Sequence, residues 1–175
     1  MGLPCYIVKD GYIYVYYRDT VDLPNRSQYG TAVARAGLDE VMAAALMGRV
    51  SPWHKFYDGA WEQPGVGGKF TSLNIEPKGY MHGDGAYNTH LKKFVLVTRD
   101  DLDRKGSALV ISFSADGIHW SPWQDIHRDA GKYNHPSIIS NGEDNELTGD
   151  SFWVYYKYKP EAGPMCLGRT RIQLD

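Results

Sequence analysis

From position 82 to position 90 the chain reads HGDGAYNTH, with His82, Asp84, Asn88 and His90 at even spacing. An extended chain turns alternate side chains to opposite faces, so these four project from one face of a strand. Two imidazoles and a carboxylate on a common face are acid–base and ligand groups, and His135, just before Pro136, is placed to join them from another strand. A metal centre is not expected, because ligands drawn from one strand rarely converge on an ion without help from elsewhere. No cofactor is expected either. The same even spacing also arises in a solvent-facing edge strand, and that reading stays open.

Other motifs carry less. Gly65-Val66-Gly67-Gly68 neither follows a strong strand nor opens a helix, which excludes a dinucleotide loop and leaves a rim loop. Asp101 to Gly106 puts Lys105 where a calcium loop needs a ligand and has no glutamate at the required distance, so a hairpin connection is expected. Acidic Glu143 to Glu146 reads as a solvated loop.

The elements that would position such groups are strands. In 175 residues, 42% are hydrophobic and 13% aromatic, with thirteen Tyr and five Trp, enough for one domain with a real core and rich in strand formers. The net charge of −2, without a run of Lys or Arg, argues against nucleic acid as a partner. No span of roughly 18 apolar residues and no signal-peptide pattern occurs, which predicts a soluble chain without a membrane partner. Cys5 and Cys166 lie far apart and outside any C-x-x-C spacing.

Strand patterns come in three sets. The first has Pro4 to Lys9, an Asp10-Gly11 turn, Tyr12 to Arg18, a polar loop with Pro24 and Asn25, Gly30 to Ala36, a short helix over 38–47, and Trp53 to Tyr57 before Asp58-Gly59. The second begins near Met81 with Asp84 to His90, then Lys93 to Thr98, Ser107 to Ser114 and Trp120 to Ile126. The third holds His135 to Ser140, Ser151 to Tyr158 and Met165 to Ile172. Aromatic-rich second strands and small or aliphatic third strands recur in the same order. Four-stranded units joined by hairpins predict an all-β partial propeller of about three blades, at about 1–60, 80–127 and 133–175, the last incomplete; a β-sandwich is the alternative.

Between the third and fourth strands of the second set lies SFSADGIHWSPW, residues 112–123. Ser114 and Asp116 can turn their oxygens onto the N–H groups of an Asp-Gly turn while Trp120 covers it, so Asp116 reads as a structural residue. Ser114 to Trp120 resembles the S-x-D-G-x-x-W corner of five-bladed β-propeller glycosidases of the arabinanase, invertase and levansucrase type. Pro4 to Tyr17, His135 to Tyr156, Gly30 to Ala36 and Tyr87 to Val95 are similar to other strands of that group. The resemblance implies a carbohydrate-active protein, glycoside-hydrolase-like or degenerate, with its ligand site in the propeller channel. It further implies two carboxylates from different blades across the scissile bond. Asp84 matches one, and Glu62, in a Gly-rich loop over the channel mouth, is the best second candidate. Tyr6, Trp61 and Tyr87 would form aromatic walls, with His82, Asn88, His90 and His135 as polar ligands to the sugar. The group's acidic motif in the first blade has no counterpart here. A non-catalytic carbohydrate- or protein-binding module, or a stable propeller fragment, is the alternative reading. Fewer than five blades would leave apolar faces on the first and last, so two or more copies, a dimer above all, are expected to associate through them.

Overall fold

The computed structural model describes residues 4–23, 26–73, 83–100 and 107–175. Three sheets follow one another along the chain. The first contains β1 (Cys5–Lys9), β2 (Tyr12–Leu23), β3 (Arg26–Gly37), β4 (His54–Tyr57) and β5 (Ala60–Pro64) in that spatial order, with α1 (Leu38–Leu46) between β3 and β4. The second contains β6 (Asp84–Asn88), β7 (Lys93–Asp100), β8 (Ser107–Ser114) and β9 (Gln124–Asp129). The third contains β10 (Lys132–Ser140), β12 (Ser151–Lys159) and β13 (Cys166–Gln173). The two-residue β11 (Leu147–Thr148) leaves the third unit and pairs in parallel with β6, Leu147 opposite Tyr87. No helix among the described residues is long and apolar enough to cross a membrane.

Turn chemistry sets much of the register. Asp10 and Gly11 have φ of 50° and 75°, and Asp58 and Gly59 have 49° and 83°. Two consecutive left-handed residues form the hairpin turn whose twist matches that of the flanking strands, which is why Asp-Gly stands at both places. The first turn sets Lys9 opposite Tyr12, and the second returns the chain as β5, a fifth strand that the sequence pattern does not announce.

Several boundaries and registers differ from the sequence pattern. The β2–β3 ladder continues to Leu23 opposite Arg26, up to Pro24 and Asn25 of the expected polar loop, which lie outside the described residues. Backbone pairing is available to polar residues as well, and apolar alternation does not register it. In the second sheet Trp120 makes only an isolated bridge to Ser114, and β9 begins at Gln124. Pro122 between them has no N–H to give a ladder. In the third sheet the register slips between Asn134 and Ser137, around Pro136, and His135 has φ of 48°.

The sheets stack through their faces. Tyr14, Tyr16, Val33, Phe94, Leu96 and Trp120 are among the residues filling the space between the first two, and Val95, Val97, Leu109, Ile138, Phe152 and Val154 among those between the last two. Strand β1 lies against β6, and β6 against β10, so the first strand of each unit is the inner one. Three blade-like sheets packed in series, inner strand beside inner strand, make the fold a partial β-propeller.

Candidate functional site

At the inner strands, a group of titratable side chains gathers from three places in the sequence. Asp84 opens β6. Its Oδ1 accepts a hydrogen bond from the Gly85 N–H at 2.9 Å, and its Oδ2 accepts one from the Ile138 N–H of β10, also at 2.9 Å. Burial pushes its carboxyl above the ordinary carboxylate range, and the two N–H groups oppose that without cancelling it. The contact with Ile138 also ties the second blade to the third.

Glu146, just before β11, is the second carboxylate. Its own carbonyl accepts the Tyr87 N–H at 2.9 Å, which holds the loop onto β6. Glu146 is half-buried, and its Oε2 is buried without a hydrogen-bond partner among the described residues. Burial raises its pKa, the Tyr6 phenol lowers it in part, and the charges of Asp84 and Asp144 raise it again. Tyr6, from β1, is 47% exposed, and the neighbouring Glu146 carboxylate lifts its hydroxyl above the usual phenol value. The buried Cys5 thiol, raised by desolvation and then by Asp84, lies in the same field and stays protonated at neutral pH.

The pair is electrostatically unequal. Asp84 accepts two N–H bonds, which favour its ionised form, whereas Glu146 has the Tyr6 phenol on that side, the charge of Asp84 against it, and one oxygen without a donor among the described residues. Two carboxyl groups that burial makes easier to protonate, beside an exposed aromatic ring, can take up a hydroxylated ligand and exchange protons with it.

The remaining sequence-derived candidates are placed as follows. Asp84 and Asn88 do share a face of β6, but Asn88 is fully buried: its Nδ2 donates to Thr148 Oγ1 at 2.9 Å and to the Gly149 carbonyl at 2.6 Å, while its Oδ1 accepts from the Leu91 N–H at 2.7 Å. That amide anchors the β11 segment. His90 lies beyond the end of β6, exposed in the turn to β7, and His82 lies outside the described residues. His135 is exposed at the β10 irregularity. Tyr87 packs edge-on to Phe94 with centroids 5.6 Å apart, and Lys9 Nζ stands 4.5 Å over its ring.

Glu62 and Trp61 belong to β5, at the opposite edge of the first sheet from β1. The Asp58-Gly59 turn folds these residues into a strand, so Glu62 is exposed on the outer edge and the structure does not bring it to Asp84. Trp61 packs on Phe56 and Tyr14, at 5.2 and 5.9 Å between centroids, with the Arg35 guanidinium 4.3 Å from its ring. Glu146 is the residue that sequence reasoning missed. Its one local signal is that it precedes Leu147, the sole apolar residue in the run 141–150. Among the described residues no three His, Cys, Asp or Glu are grouped to hold a metal ion.

The second-blade corner has a different character. Ser114 Oγ donates to Asp116 Oδ1 at 3.0 Å and accepts from the Gly117 N–H at 2.9 Å, while Asp116 Oδ1 also accepts the N–H groups of Ile118 and His119, both at 2.8 Å. Trp120 Nε1 donates to the Gly117 carbonyl at 3.3 Å, and Tyr16 from the first blade donates to the same oxygen at 3.0 Å. Burial would raise the Asp116 carboxyl, but bonds from His119, Ile118 and Ser114 prevail and bring it down to about 2. The corner thus fastens the first two blades together.

The partial-propeller fold, with an acid pair on its inner strands, has counterparts among solved structures. The chain superposes on the catalytic domain of a GH62 α-L-arabinofuranosidase from Coprinopsis cinerea with a TM-score of 0.54 at 10% identity, over 95% of this chain and 52% of that one. An α-L-arabinofuranosidase of Podospora anserina, solved in complex with cellotriose, gives 0.52 at 12% identity with the same coverage. The chain therefore spans about half the length of these neighbours, and at such identity the likeness concerns the fold. No family model and no curated protein matches the sequence.

Proposed function

We propose that this chain is a carbohydrate-active protein of the glycoside-hydrolase type, which takes its sugar at the inner-strand surface formed by Tyr6, Asp84 and Glu146. The observation that carries the reading is the pair itself: two carboxyl groups from different blades, gathered beside the exposed Tyr6 ring and both made easier to protonate by burial. In glycoside cleavage, a protonated carboxyl group gives its proton to the leaving oxygen while an ionised partner assists attack at the sugar carbon. Glu146, with a buried oxygen that no described residue bonds, suits the first role, and Asp84, whose ionised form two N–H groups favour, the second. The exposed Tyr6 ring offers an apolar face for a sugar to stack on. The fold of the two arabinofuranosidases supports the class and leaves the sugar open.

One observation favours a non-catalytic sugar-binding module instead. Both oxygens of Asp84 already accept backbone N–H bonds, which limits its freedom to engage a water. Turnover of aryl glycosides, with aryl α-L-arabinofuranoside in the panel, decides between the two when combined with calorimetric titration of oligosaccharides. Hydrolysis that falls at least a hundredfold in both Asp84→Asn and Glu146→Gln supports the enzyme. Sugar binding without turnover, lost in Tyr6→Ala, supports the module. Neither turnover nor binding would overturn both.

A further inference from the structure

Helix α1 is built of good helix formers, yet none of its residues is buried. Met42 is 57% exposed, Leu46 87% and Met47 63%. A soluble surface seldom leaves so many large apolar side chains together without a use for them. The chain leaving α1 then forms one wall of a pocket of about 350 Å3, lined by Val15, Tyr17, Ala34, Val50, Trp53 and Val66 among others and, among the described residues, by no charged one. Val50 and Val66, at its rim, are 92% and 93% exposed.

Charge follows a pattern along the same segment. Asp39 and Glu40 stand in the first turn of α1, no basic residue stands in its last turn, and Arg49 follows just beyond, its guanidinium 2.9 Å from Met47 Sδ. The segment thus reads acidic, apolar, basic from one end to the other. Such a sequence complements a second copy of itself running the opposite way. Protruding apolar side chains and a receiving pocket on one surface are also what a two-fold contact needs, since each copy must supply both parts.

We propose that this face of the first sheet joins two copies of the chain about a two-fold axis. The α1 segments run antiparallel, Asp39 and Glu40 of each face Arg49 of the other, and apolar residues around Leu46 and Val50 enter the pocket of the other copy. The proposal is independent of the carbohydrate reading, because none of these residues belongs to the inner-strand site.

Sedimentation velocity on the full chain tests it. A dimer is expected, with Val50→Asp and Val66→Asp shifting it to monomer while the far-ultraviolet circular dichroism is retained. Leu167→Asp, on the exposed third sheet, should leave it dimeric. Arg49→Glu should weaken association about tenfold, and adding Asp39→Lys with Glu40→Lys should restore it. Should the pocket variants fail to fold, Ala45→Cys in a Cys166→Ser background gives a second measurement, a cross-linked dimer under mild oxidation. A chain that is monomeric up to its solubility limit would overturn the proposal. So would a dimer indifferent to Val50→Asp and Val66→Asp, one dissociated by Leu167→Asp alone, or an Ala45→Cys dimer that does not cross-link.

Discussion

The corner at Ser114–Trp120 and the inner-strand group around Asp84 are each organised by an aspartate, and they treat its charge in opposite ways. Asp116 is half exposed and accepts bonds from Ser114, Ile118 and His119, so its ionised form is favoured. Asp84 is more deeply buried, has two N–H donors, and is left easier to protonate. The difference shows what decides the outcome: donor count set against lost water. A satisfied charge fastens blades, whereas an incompletely compensated one remains available for proton exchange.

The largest effect should come from crowding the corner. Gly117 has φ of 76°, and a Cβ there would lie 2.7 Å from the buried Tyr16 hydroxyl. Gly117→Ala is expected to cost about 3 kcal/mol, from left-handed backbone strain together with displacement of that ring, measured by chemical denaturation. Next comes Asp116→Ala, which strips the turn of its acceptor and should cost about 2 kcal/mol, moderated by its exposure to solvent. Asp84→Asn, by contrast, should change stability by less than about 1 kcal/mol, because a desolvated charge disappears along with one N–H bond. If Asp84→Asn proved the more damaging of the two, the contrast between the regions would fail.

The acid dependence of stability separates the regions by sign. Asp116 binds its proton less tightly folded than unfolded. Its contribution is therefore full above its ordinary 3.8 and is lost as the pH falls toward about 2. Asp84 and Glu146 bind their protons more tightly when folded, so their effect runs the other way: stability falls as the pH rises through their elevated values. Thermal melts from pH 2 to 7 should lose acid sensitivity in Asp116→Asn, and should lose the opposing slope in Asp84→Asn and Glu146→Gln. The smallest effect is expected from Tyr6→Phe. The phenol lowers the Glu146 pKa, so its removal should move that titration upward in carboxyl NMR, with little change in melting temperature.

Much of the fold was legible because it rests on short-range rules. The Asp-Gly pairs at 10 and 58 dictate left-handed turns, the alternation of Tyr12 to Tyr17 dictates a strand with one buried face, and Ser114-Asp116-Gly117 carries its own hydrogen-bonding plan. Helix α1 appears where helix formers interrupt the β pattern, over Leu38–Leu46. The site was legible only in part. Even spacing puts Asp84 and Asn88 on one face, yet spacing says nothing of what that face meets. It meets β10 and the β11 segment, which bury Asn88 and shelter Asp84.

By itself, then, the sequence determined the strands, their turns and the corner that fastens the first two blades, since these depend on neighbours within a few residues. Only the tertiary structure decided which carboxylates meet. Glu62 has the better local setting for a rim residue, and the Asp58-Gly59 turn carries it to an outer edge. Glu146, in a run that looks merely acidic, is brought to Tyr6 and Asp84 because Leu147 and Thr148 pair with Tyr87 and Asn88, sixty residues earlier in the chain. Such pairing depends on how whole sheets stack, and the single apolar Leu147 in an acidic run is the only local trace of it.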